Sequence, residues 1–199
     1  MNARIMLFVS LLMMGAAATA VASDCSISGS ITAAPSGDAM LPTWQYTLVV
    51  DWNTGSNYAL SHLDLLLDPV GGTCSCSDFA AALMLVNPAG VSDGDGGCTV
   101  NYNAYLECNG DPSIPGVDGI LLKFEPLEQG CEPGPTGTAT LVFYSNLGPV
   151  PVDEEILSLV DKYALQHCFG NLTGFFPGMA CNPVDDQGSA WGSVHGLYR

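Results

Sequence analysis

The sequence predicts an all-β fold, an antiparallel β-sandwich stabilised by disulfides and preceded by an N-terminal signal peptide. Three observations point there. Apolar and polar residues alternate in one short segment after another. Glycine (23 residues) and proline (13) punctuate the 199-residue chain. Strand-like segments do not alternate regularly with helical ones. Roughly six to eight short strands follow from this pattern; a sandwich or a barrel accommodates them, and the sandwich is the expected form.

The leader comes first in the chain. Arg4 supplies a positive n-region and Ile5 to Ala18 an apolar h-region. Ala18-Thr19-Ala20 and Ala20-Val21-Ala22 are two A-x-A-like cleavage sites. The apolar run falls short of the ~20 residues a membrane span needs, and Asp24 ends it. Asp24 also stands before Cys25, where a lipoprotein signal places a small residue. Residues 1–22 are thus expected to be a signal peptide, 23–181 the sandwich domain and 182–199 a loosely structured tail. The expected location is secreted, extracellular or periplasmic, with no membrane segment after cleavage.

Charge narrows the partners. The chain carries 20 Asp and Glu against four Lys and Arg, a formal charge of −16. Such a surface repels phosphate backbones and anionic lipid, which excludes a nucleic-acid role. At 48% hydrophobic residues it is no disordered acidic tail either.

Beyond the leader, Cys25 to Ser28 reads as a strand and Pro35 to Pro42 as a loop. Trp44, Tyr46, Leu48 and Val50 share one strand face, with Gln45 and Thr47 opposite; Asp51 to Asn57 is turn-like. Leu63, Leu65 and Leu67 then point one way, His62 and Asp64 the other. Phe79 to Val86 is a short apolar run compatible with a strand or a helical turn. Ser92 to Gly97 is an acidic, Gly-rich loop. Val100, Tyr102, Ala104 and Leu106 form another alternating set between Cys98 and Cys108. Ile120, Leu122 and Phe124 point inward with Lys123 outward, and Thr138 to Ser145 reads as a buried strand. Ile156 to Val160 is expected to be a strand, with an acidic-capped helix from Asp153 as the alternative.

Cys25, Cys74, Cys76, Cys98, Cys108, Cys131, Cys168 and Cys181 all follow the leader. An even number of cysteines in an exported chain indicates disulfides, whose connectivity spacing alone does not fix. Zinc is disfavoured, because no C-x-x-C pair is present and the three histidines are scattered. Cys74 and Cys76 should bond different partners, since a bridge between them would be strained. On one straight strand Cys98 and Cys108 would stand roughly 33 Å apart, so each is expected to bond another cysteine; a hairpin closed by their own bridge is the alternative.

Catalytic chemistry finds little support. Ser61 and His62 are neighbours on opposite strand faces and no G-x-S-x-G elbow exists, so a hydrolase triad is not expected. His62 reads instead as a strand histidine bonded to a loop. Glu154-Glu155 and Asp185-Asp186 are adjacent pairs that point apart, unlike glycosidase carboxyls across a cleft. Asp93 and Asp95 offer hard oxygen ligands in a flexible loop and are the candidate Ca²⁺ residues. The twelfth position from Asp93 is Ala104 rather than Glu, so the loop is not an EF-hand. Trp44, Trp52 and Trp191 could in principle stack on a sugar; Trp44 is expected in the core, and Trp52, beside a turn, is the candidate for an exposed ring.

The segment Gly55 to Leu65, with its Leu60-Ser61-His62-Leu63 core, resembles a group of uncharacterised exported bacterial surface proteins. So does Gly119-Ile120-Leu121-Leu122-Lys123-Phe124, and the closing Gly174 to Cys181 is similar with its Gly-Pro order reversed. Over residues 44–181 the resemblance implies an extracellular β-sandwich linked to surface display, without established catalysis. The expected function is therefore that of a secreted non-enzymatic module with a surface, matrix or interaction role and no cofactor. A calcium- or glycan-binding module is the alternative, and a small secreted hydrolase ranks third. An extracellular protein or glycan would be the partner.

Overall fold

The computed structural model describes residues 25–68, 73–127, 130–152 and 158–179. Ten strands and one short α-helix run through them in the order β1 (Ser26–Pro35), β2 (Trp44–Asn53), β3 (His62–Asp68), α1 (Cys76–Ala82), β4 (Met84–Asp93), β5 (Thr99–Glu107), β6 (Ile120–Pro126), β7 (Thr136–Ser145), β8 (Pro149–Pro151), β9 (Ser158–Tyr163) and β10 (Gln166–Pro177). The expected signal peptide, the 153–157 segment and the expected tail, from residue 180 onward, lie outside the described residues.

The strands form a closed barrel, not the expected sandwich. Nine of them follow one another around it as β1-β2-β7-β4-β5-β6-β3-β9-β10, and β10 pairs back onto β1. That closing pair is parallel, from Ser28 opposite Asn171 to Ile31 opposite Gly174. Every other pair in the ring is antiparallel. β8 adds only a short pairing at the end of β10. The physical reason for the correction is that sandwich and barrel strands share the same period-2 alternation. The difference lies in whether the first and last strands find each other, which alternation does not encode.

Alternation itself is obeyed. Ile27 and Ile31 of β1 point inward between exposed Ser26, Ser28, Ser30 and Thr32. Tyr46, Leu48, Val50, Leu63, Leu65, Leu67, Val100, Tyr102, Leu122, Phe124, Leu141 and Phe143 fill the interior. Because the outward positions are largely Ser, Thr, Asn and Asp, the apolar face is the inner one, the reverse of a lipid-facing barrel. Tyr46 stacks on Phe143 with ring centroids 5.3 Å apart, and Phe143 meets Phe176 at 5.7 Å.

Trp52 departs from expectation. It is only 3% exposed, its ring lies over Gly137, and its Nε1–H donates to the Gly134 carbonyl at 3.1 Å. A side chain at position 137 would collide with the ring, so the Trp–Gly pair is complementary in volume. Trp52 therefore offers no platform to a glycan.

The apolar run at 79–86 becomes two elements. α1 opens on a capping box in which Ser75 and Asp78 each accept from the other's backbone N–H, and β4 begins two residues after it ends. Phe79 anchors the helix in the core. β5 is one continuous strand, and its flanking cysteines bond elsewhere, Cys76 to Cys108 and Cys98 to Cys131. Cys25 bonds Cys168 across the barrel closure, and Cys74 is also in a disulfide. Cys181 lies outside the described residues. Cys74 and Cys76 are not joined to each other, as the spacing predicts. The bonded cysteines fit an oxidising, extracellular or periplasmic environment, and no described helix is long and apolar enough to cross a membrane.

The interior makes an alkaline prediction. Tyr102 is fully buried, its hydroxyl 3.0 Å from the Ser92 hydroxyl, and burial pushes it up to about 12. An unfolded tyrosine titrates near 10, so the unfolded state loses this proton first as pH rises. The stability held below pH ~10 should fall by about 1.4 kcal/mol per pH unit between there and pH ~12. Urea unfolding across that window should show the slope, and Tyr102→Phe should remove this residue's share of it.

Candidate functional site

Inward-facing Leu63, Leu65, Leu122 and Phe124 fix what the other face of β3 and β6 presents. Alternation turns His62, Asp64 and Leu66 of β3 outward, and Leu121 and Lys123 of β6 with them. Asp64 lies directly opposite Lys123 in the register. On a bare barrel these side chains would meet water. Here the connection between β5 and β6, residues 108–119, folds back over them.

That connection is tightly built. The Gly110 N–H bonds the Gly119 carbonyl at 2.7 Å and closes its base. Gly110 has φ +74°, and a Cβ there would lie 2.3 Å from the Val117 carbonyl, so glycine is required. Turns from Asp111 to Ile114 and from Ile114 to Val117 follow, with N–H to O distances of 3.0 and 3.2 Å. Ile114 and Val117 pack on Leu121 and Leu66 as a second small core outside the barrel. Cys108, at the start of the connection, is anchored to Cys76 on α1.

The fold-back carries Asp111 onto the outward face and buries four ionisable groups together: His62, Asp64, Asp111 and Lys123. Asp64 is completely buried and Lys123 only 7% exposed. Lys123 Nζ donates to Asp111 Oδ2 at 2.6 Å, and the Ser113 N–H donates to Asp111 Oδ1 at 2.7 Å. His62 Nε2 stands 2.8 Å from Asp111 Oδ2 and 3.3 Å from Asp64 Oδ2, aligned as a hydrogen bond with neither. Among the described residues neither Asp64 oxygen has a hydrogen-bond partner.

The two carboxyls are driven in opposite directions. Burial pushes Asp64 above the ordinary carboxylate range, and its neighbours His62 and Lys123 offset only part of that. Burial works on Asp111 too, but hydrogen bonds from Lys123 and Ser113 and the nearby His62 outweigh it and hold Asp111 well below that range. A carboxyl whose ionised form burial disfavours thus sits beside an ion pair under an apolar cover.

Among the described residues, His62, Asp64 and Asp111 are the one group of three whose potential ligand atoms converge, all within 4.8 Å. The ammonium of Lys123 already occupies the cation's place on Asp111 Oδ2. The candidate calcium residues lie elsewhere. Asp93 ends β4 opposite Thr99, and Asp95 begins a 3-10 turn, Asp95–Gly97, held by the Cys98–Cys131 bridge. Both are exposed, and the described residues bring no third carboxylate or histidine to them.

Beside the cluster, at the β3 entrance of the barrel, lies a cleft of about 830 Å³. Leu60, Ser61 and His62 form one wall, and residues 125–127 and 130–133 form the other, with Glu125 and Glu132 as its acids. Ser61 reaches the cleft, while His62 Nε2 faces the two carboxylates.

Sequence reasoning placed His62 against a loop, Asp64 on its face and Lys123 outward, but gave Asp111 no role. One signal was available: the chain has two lysines, Lys123 and Lys162, and a lysine within a Gly-apolar-Lys-Phe strand is costly to place without a carboxylate. Fold and site together define a closed, disulfide-tied β-barrel with an ionic cluster buried outside its core. Comparison of the chain with known protein families, with curated proteins and with solved structures finds no match.

Proposed function

We propose that this is a secreted, non-catalytic β-barrel module with a surface or matrix role, which docks a basic segment of an extracellular protein in the cleft beside His62. The observation that carries the reading is the make-up of that cleft. Leu60, Pro126, Leu127 and Pro133 line it together with Glu125 and Glu132, and among the described residues no Trp, Tyr or Phe ring lines it. A sugar ring stacks on exposed aromatic faces, whereas an extended peptide uses backbone groups, small apolar pockets and charge. The net charge of −16 favours a partner carrying Lys or Arg. A hydrolase would need His62 turned toward a nucleophile, and its Nε2 is turned toward Asp64 and Asp111.

The test is binding of the mature chain to an array of basic, neutral and acidic peptides and of oligosaccharides. Basic peptides should bind, and Glu132→Lys, at an exposed rim position, should weaken them at least tenfold without changing the melting temperature. Glycan binding untouched by Glu132→Lys would overturn the reading. So would turnover of ester, peptide or glycoside substrates that His62→Gln abolishes.

A further inference from the structure

From the geometry around Lys123 we infer that this barrel closes an intramolecular amide: Lys123 Nζ condenses with the side-chain carboxyl of Asp111, with Asp64 as the proton-relaying acid. This inference is independent of the cleft and of what the cleft binds.

The charge inventory makes the arrangement unusual. The chain is strongly acidic and has two lysines, yet one of them is buried under a loop. A surface lysine would help offset the net charge at no desolvation cost; this one gives up its hydration to sit 2.6 Å from a buried carboxylate. Breaking or forming such a pair has a large free-energy consequence, and a neutral amide removes both charges from the low-dielectric site.

The surroundings supply what condensation requires. Asp111 is presented on a loop fixed by the Gly110–Gly119 bond, two successive turns and the Cys76–Cys108 bridge, so amine and carboxyl are held together before reaction. Such positioning is worth effective concentrations of about 10⁵–10⁸ M. Asp111 Oδ1 already accepts the Ser113 N–H, which is the donor an oxyanion on that atom would use. Asp111 Oδ2, between Lys123 Nζ and His62 Nε2, is the oxygen placed to leave. Asp64 faces Lys123 across the strand pair, and its two oxygens have no hydrogen-bond partner among the described residues. An amide would give them both, an N–H to accept from and a C=O to donate to. Ile114, Val117, Leu121 and Leu66 keep out bulk water, which would favour hydrolysis.

The step balances without a co-reactant. A proton passes from the Lys123 ammonium to Asp111 Oδ2, leaving a neutral amine and a neutral acid. The Nζ lone pair adds to Asp111 Cγ, and the carbonyl electron pair moves onto Oδ1. The Asp64 carboxyl delivers its proton to Oδ2 and recovers one from Nζ, so it ends as it began. The pair on Oδ1 then returns to re-form the carbonyl, the C–O bond to Oδ2 breaks with its electrons leaving on the doubly protonated Oδ2, and one water departs. The product ties β6 covalently to the loop that covers it, a cross-link that reduction of the disulfides would leave intact.

Intact mass of the exported mature chain, reduced and alkylated, tests this. The wild type should be lighter than its residues by one water, and proteolysis should yield a branched peptide joining the Asp111 and Lys123 segments. Lys123→Arg and the isosteric Asp64→Asn should each carry the full mass, with circular dichroism reporting which of them folds. Asp-Gly sequences such as Asp93-Gly94 and Asp118-Gly119 can also lose water, as cyclic imides. Those species would persist in Lys123→Arg and would be cleaved by hydroxylamine, and a water loss of that kind would overturn the inference. Full mass in the folded wild type would overturn it directly.

Discussion

Replacing Phe143 with alanine is expected to cost about 3–5 kcal/mol of folding stability. Its ring is fully buried, stacked on Tyr46 and tilted against Phe176, so it joins β2, β7 and β10 through the barrel interior. Truncation removes the transfer free energy of the ring and leaves a cavity whose walls cannot collapse. Those walls belong to strands locked in register on both sides, β2 against β1 and β7, and β7 against β4. Single domains have only about 5–15 kcal/mol to lose, so the variant should be marginal even with its disulfides formed. Guanidinium unfolding measures this, and Phe143→Leu should cost far less because most of the volume is kept. Equal midpoints for wild type and Phe143→Ala would show that the interior is not close-packed around this ring.

What the sequence revealed was the face of each strand, because a period of two is a local property. Tyr46, Leu48 and Val50 on β2 and Leu63, Leu65 and Leu67 on β3 are buried where alternation put them. Three matters depended on residues far apart in sequence. Trp52 stands beside a turn yet continues the inward parity of Tyr46, Leu48 and Val50, and its ring has room there because Gly137 stands opposite in β7. Lys123 was rightly turned out of the barrel, yet outward did not mean solvated, since the 108–119 connection folds over it. In the run from Phe79 to Val86, the helix starts from a local signal, the Ser75–Asp78 capping box, but the strand that follows it depends on β7, about fifty residues downstream, accepting β4. A local pattern also carries no information about closure, which joins a strand at residue 26 to one ending at residue 177.

Closure does leave a trace in the sequence once its meaning is known, and it supports the second large prediction. Gly170 and Gly174 both sit on β10 against β1. A Cβ on Gly174 would lie 2.0 Å from the Ile31 carbonyl oxygen, and one on Gly170 would lie 1.9 Å from the Ile27 carbonyl oxygen. These are backbone atoms of the facing strand and cannot rotate away. Gly174 also has φ +105°, a conformation that costs a side-chain-bearing residue about 1–3 kcal/mol before any collision is counted. Gly174→Ala should therefore part the β1–β10 seam, with a total loss above about 3 kcal/mol. The Cys25–Cys168 bridge spans the same seam and should keep the parted strands tethered. Hydrogen exchange distinguishes seam opening from general unfolding: amides of β1 and β10 in the parallel pair should exchange rapidly, while those between β2 and β7 stay protected. Reducing the bridge in the variant should extend the loss of protection into β2 and β9, the strands that the seam holds in the ring. Wild-type exchange rates at Ile31 and at position 174 in the variant would mean that the barrel does not depend on this approach of the two backbones.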